Sequence, residues 1–100
     1  MRELPYFNLA FSQILRGIRE QRKMTQMALA VAIGGSEVAI RRMERGVQTP
    51  TTTTLILLAQ ALSISPTSFL SSILDRMDSL AFAAAETQNE EGDGDSLPGA

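Results

Sequence analysis

Glu37, Val38, Arg41 and Arg42 fall within six residues, with Arg45 close behind. Their side chains suggest recognition chemistry. A guanidinium presents N–H groups in a planar fork that matches two acceptors side by side, as on phosphate or the O6/N7 edge of guanine. A glutamate in the same place accepts from an amino group such as that of cytosine, and a valine meets a thymine methyl. The plain alternative is a solvated helix face with ordinary ion pairs, Glu37 being a first-turn acid that complements the helix dipole.

Catalytic chemistry has little to work with. The chain has no Cys and no His, so cysteine nucleophiles and histidine bases are excluded. A structural zinc site lacks its usual ligands, and no paired carboxylates mark a cleft. We therefore expect no enzyme, no metal and no cofactor. Without a disulfide framework, a reducing compartment is favoured. No uninterrupted apolar run is long enough to span a bilayer, and Met1-Arg2-Glu3-Leu4-Pro5 lacks the layout of a signal peptide. The expectation is a cytoplasmic protein with no membrane partner.

The net charge of −2 hides a strong asymmetry. Residues 1–85 carry all nine Lys and Arg against six acids, while residues 86–100 carry five acids and no base. The stretch 12–46 holds seven bases and three acids. A mildly basic domain thus precedes an acidic end. Residues 87–100, rich in Gly and acids, have too little apolar surface to offset the entropy of ordering, so we expect disorder there. The alternatives to a solvated end are an interaction segment or a mimic of DNA.

The elements that must position the arginines are helical. Asn8 is a candidate cap for a first helix over 8–22, with Phe11, Ile14, Leu15 and Ile18 at helical spacing. Thr25 opens a second over 25–32, broken by Gly34-Gly35, and Ser36 opens a third over 36–45 that ends at Gly46. Pro50 and the threonine run 51–54 lead into a fourth over 52–62. Ser65-Pro66 starts a fifth that extends to about residue 85. No segment alternates with period two over a useful length, so the fold class is all-α. Ile40, Met43 and Ala39 share a core-facing side of helix 3, which leaves Glu37, Val38, Arg41 and Arg42 on the other.

Two short helices joined by a tight glycine turn are a DNA-reading unit. The joint pattern goes further. It runs Ile18-Arg19-x-x-Arg22-x-Met24-Thr25-Gln26-x-x-Leu29-Ala30, then Ile33-Gly34, then Ile40-x-x-Met43-Glu44-x-Gly46. It continues through Thr49-Pro50, Leu55-x-x-Leu58-Ala59-x-Ala61-Leu62 and Phe69. From Ile14 to Leu70 the chain resembles the Cro/phage-repressor family, also called XRE-like or lambda-repressor-like. The resemblance implies a five-helix DNA-binding domain, here with an extended C-terminal helix and an acidic tail. It places Glu37, Val38, Arg41 and Arg42 at base-reading positions, and Gln26, Ser36 and Arg45 at phosphate contacts. Arg19 and Glu44 match a buried ion pair tying helix 1 to the end of helix 3. The chain departs from the family at Gly35, usually apolar there, and at Met27, Ala28, Val31, Ala32 and Leu57, where polar residues are usual.

The expected organisation is an N-terminal arm (1–7), the helix-turn-helix domain (8–70), an extension of helix 5 (71–86) and the tail (87–100). The stripe Leu70, Ile73, Met77, Leu80 and Ala84 repeats at three- and four-residue steps. It either packs on the domain's own core or pairs two copies, and we expect it to be the interface of a homodimer. The function expected is sequence-specific binding of double-stranded DNA, as a transcriptional repressor on an inverted-repeat operator. The rival is an antitoxin-like or partner-bound module, whose apolar helix 2, Leu57 and tail grip another protein.

Overall fold

The computed structural model describes the backbone of residues 4–99 and the side chains of residues 4–87. Its elements are α1 (Phe7–Gln21), α2 (Gln26–Ile33), α3 (Glu37–Glu44), α4 (Thr52–Ala61) and α5 (Pro66–Gly99), with no strand among the described residues. The fold is all-α. α5 continues through the acidic stretch. The expectation of disorder for 87–100 falls on residues whose side chains, from 88 onward, lie outside the described residues.

Hydroxyl caps start four helices where the sequence offers them. Thr25 Oγ1 accepts from Ala28 N at 3.0 Å, Ser36 Oγ from Ala39 N at 3.1 Å, Thr51 Oγ1 from Thr54 N at 3.1 Å and Ser65 Oγ from Ser68 N at 3.0 Å. Each bond satisfies an amide that has no partner within its own helix. α1 is the exception and corrects our reading of Asn8. Its cap is Tyr6, left-handed at φ 69° and making no side-chain bond to the helix. Asn8 lies inside the first turn, and its Oδ1 accepts from Thr49 Oγ1 at 2.9 Å across to the loop before α4.

Helix ends are set by left-handed residues. Gly34 (φ 69°) closes α2, and the Gly35 N–H donates to the Ala30 carbonyl at 2.9 Å, which binds the turn to the last turn of the helix. Gly46 (φ 75°) turns the chain after α3. α1 and α4 end instead on Lys23 (φ 56°) and Ser63 (φ 57°), with no glycine to mark the place.

The core gathers one face from every helix. Phe11 and Leu15 come from α1, Leu29 and Ala30 from α2, and Ile40 and Met43 from α3. Leu58, Ala59 and Leu62 come from α4 and its end, Phe69 and Ile73 from α5. Phe11 and Phe69 meet edge-on, ring centroids 6.3 Å apart, which locks α1 to the start of α5. α1 also packs against α3, α2 against α3 and α4, and α4 against α5. The result is a fixed platform from which α3 turns its other face to solvent. Among the described residues no single helix is long and apolar enough to cross a membrane.

Candidate nucleic-acid interface

α3 is amphipathic in the sense expected. Ile40 and Met43 are buried in the core and Ala39 packs beside them, while Val38, Arg41 and Arg42 are exposed. Val38 is 51% exposed, a branched apolar side chain standing in solvent. The Arg41 guanidinium donates from Nη2 to Glu37 Oε1 at 2.5 Å, an i,i+4 pair lying along the same face. Arg42 and Arg45 are exposed and make no ion pair among the described residues.

Two of the remaining expected contacts, Gln26 and Ser36, lie at the N-terminal ends of α2 and α3. Ser36 caps α3 through its oxygen and keeps its own O–H as a donor. Gln26 begins α2, where the backbone N–H groups of the first turn lack carbonyl partners within the helix. Such a helix start suits an anion. Gln26 and Ser36 thus place polar donors at the starts of α2 and α3, while Arg45 stands at the far end of α3.

Arg19 and Glu44 form the ion pair that the family resemblance implies. Arg19 Nε donates to Glu44 Oε2 at 2.5 Å and Nη2 to Glu44 Oε1 at 2.9 Å, a two-pronged contact. Side-chain exposure is 12% for Arg19 and 4% for Glu44. Hydrogen bonding to Glu44 raises the Arg19 pKa above its already high value, against a smaller opposing effect of burial, so the guanidinium stays charged. Arg19 Nη1 also donates to the Met24 carbonyl at 2.8 Å. A bond not anticipated joins this pair to the surface: Gln26 Nε2 donates to Glu44 Oε1 at 3.1 Å. Another ties α1 to the end of α4, from Arg22 Nε to the Leu62 carbonyl at 2.9 Å. Neither has a sequence signature, because each depends on how separate helices cross.

The stripe on α5 divides. Ile73 is fully buried in the chain's own core, which removes it from the expected interface, while Met77 and Leu80 pack against that core and, like Ala84, stay half-buried. α5 lies against α1 and α4, and Ile73 is on the side that meets them. Leu70 remains exposed, and with it Leu74, Ile56 and Leu57. Leu55, Ile56, Phe69, Leu70 and Leu74 line an apolar groove of about 430 Å³ between α4 and α5.

Comparison with known proteins agrees with this geometry. The helix-turn-helix family HTH_3 matches residues 15–69. Among solved structures, the chain resembles the clp gene regulator ClgR of Corynebacterium glutamicum with a TM-score of 0.80 at 23% identity. That alignment covers 91% of this chain and 97% of ClgR. The restriction-modification controller protein C.AhdI of Aeromonas hydrophila gives 0.60 at 29% identity, over 62% of this chain and 94% of that one. An HTH_3 family transcriptional regulator of Vibrio cholerae gives 0.61 at 29% identity, over 65% of this chain and 36% of the other. No curated protein sequence matches. With more than half its length matched, and α2 and α3 inside the match, the chain belongs to the HTH_3 helix-turn-helix family, the XRE-like group that its sequence resembles.

Proposed function

We propose that this chain is a sequence-specific, double-stranded DNA-binding transcriptional regulator, acting as a repressor from an inverted-repeat operator as a homodimer. One observation carries the reading: α3 presents Val38, Arg41 and Arg42 on a solvent face backed by a rigid core, with the donors of Gln26 and Ser36 beside it. A major groove admits a helix of this kind, and arginine beside a small apolar side chain suits guanine and the thymine methyl. Glu37, Val38, Arg41 and Arg42 read bases in this proposal, while Gln26, Ser36 and Arg45 hold phosphates. The regulators and the controller protein among the similar structures support the same class.

The dimer follows from the size of the address. One recognition helix covers only a few base pairs, and two-fold pairing places half-sites about 34 Å apart. The exposed apolar side chains Ile56, Leu57, Leu70 and Leu74 supply a face for the second copy. The test is selection of bound sequences from random duplexes. An inverted repeat with half-sites one helical turn apart is the expected result, and recovery of no preferred sequence would overturn the reading.

A second reading has its own observation. α2 carries no charged residue, and its outer side leaves Met27 and Val31 exposed, the latter by 71%. That side suits a protein partner, as in the antitoxin-like alternative. Affinity capture followed by mass measurement of the native complex separates a partner-bound module from a stand-alone regulator.

A further inference from the structure

Gln26 occupies the first position of α2, but Thr25 already caps that helix with its hydroxyl. The Gln26 carboxamide turns instead toward α3, where Nε2 donates to Glu44 Oε1 at 3.1 Å. The same Glu44 oxygen accepts from Arg19 Nη2 at 2.9 Å, and the other accepts from Arg19 Nε at 2.5 Å. With its side chain 4% exposed and gripped by Arg19 through both oxygens, Glu44 has little freedom to move. An ionised carboxylate only accepts, so the nitrogen side of the carboxamide must face it. One Gln26 N–H is thereby committed inward, and the second is left to donate outward beside the unpaired amides of the α2 start.

We propose that Glu44, fixed by Arg19, is a positioning residue for phosphate binding: it holds the Gln26 carboxamide with its second N–H aimed at the backbone of a bound duplex. The inference rests on the DNA-binding reading above and gives the buried ion pair a task beyond joining α1 to α3. A glutamine held before binding loses less rotamer freedom when the duplex arrives. Immobilising one long side chain weakens binding by roughly two- to tenfold, which sets the size of the effect.

The experiment measures affinity by fluorescence anisotropy over a salt series, on a selected operator and an unrelated duplex. The proteins are wild type, Gln26→Met, Glu44→Gln and the double variant. Gln26→Met should weaken both duplexes by the same factor, about two- to tenfold, because phosphate carries no sequence information. Glu44→Gln keeps one acceptor oxygen, which Arg19 takes, and so presents an N–H to Gln26. It should lose part of the same affinity, and the double variant should bind no worse than Gln26→Met. Losses that multiply in the double variant overturn the proposal. Should Glu44→Gln fail to melt cooperatively, side-chain amide relaxation in the DNA-free wild type decides. Gln26 should be restrained relative to the exposed Gln13 and Gln21, and equal mobility overturns the proposal. A wild type that binds no duplex removes the DNA-binding reading and the proposal with it. Binding with multiplicative losses removes the proposal alone.

Discussion

Arg41 and Glu37 are paired on the solvent face of α3, one turn apart, so a cation suited to DNA is partly neutralised by an acid of its own helix. The pair is exposed and its contribution to stability is small. Its effect on binding is another matter, since Glu37 repels any phosphate that Arg41 attracts. Glu37→Gln should therefore tighten binding to unrelated duplex DNA and steepen the salt dependence, by a slope of about 0.9 for each additional phosphate neutralised. Plots of log affinity against log salt for wild type and variant test this. Superimposable lines would show that the pair exerts no restraint on non-specific binding.

Arg42 lies beside Arg41 on the same face, without a partner among the described residues. Arg42→Ala should cost about 1–3 kcal/mol of operator affinity and relax preference at one base pair in each half-site. Competition binding against a panel of single-base operator variants is the measurement. A uniform loss over the whole panel would assign Arg42 to phosphate.

The Arg19–Glu44 pair makes a prediction about stability. Removing one member leaves the other buried and uncompensated, at a cost of about 3–5 kcal/mol. Arg19→Met should be the harsher change, because it strands the more deeply buried carboxylate. The double change to Met and Leu should recover part of the loss. Chemical denaturation of the four proteins checks both statements, and an unchanged midpoint in each single variant would refute them.

How much of this was legible in the sequence follows from what kind of interaction each feature needs. Thr25, Ser36 and Ser65 act within three residues of themselves, so their caps could be read directly. The apolar spacing of Ile40 and Met43 gave the inward side of α3 and, by exclusion, its outward face. Arg19 and Glu44 were paired only through family resemblance, since 25 residues separate them. Asn8 was misplaced because a left-handed tyrosine is a rare way to begin a helix, and its side chain was claimed by Thr49, 41 residues away. On α5, periodicity showed that a stripe existed but not which partner it met. That depended on the crossing of α5 over α1 and α4, which no local pattern encodes.

That crossing changes which side chains a dimer would use. Met77 and Leu80 pack against the chain's own core, so replacing both with Glu would damage the fold and leave its effect on assembly unreadable. Leu70 and Leu74 are about 40% exposed and lie one turn apart on α5, facing the groove that Ile56 shares from α4. A charge at these positions costs the monomer little, because each is already partly in water, but it places like charges against each other across a two-fold axis. Leu70→Glu with Leu74→Glu should therefore yield a monomer that melts near the wild-type temperature and binds the operator far more weakly. Its affinity for one isolated half-site should be almost unaltered, because α3 lies outside the changed surface. Sedimentation of both proteins at about 50 μM, a concentration at which a micromolar dimer is mostly assembled, supplies the test. A wild type that sediments as a monomer, or a folded double variant that remains dimeric, rules out this face. The second outcome would turn attention to Met27 and Val31 on α2, the other exposed apolar side chains on a helix without charge.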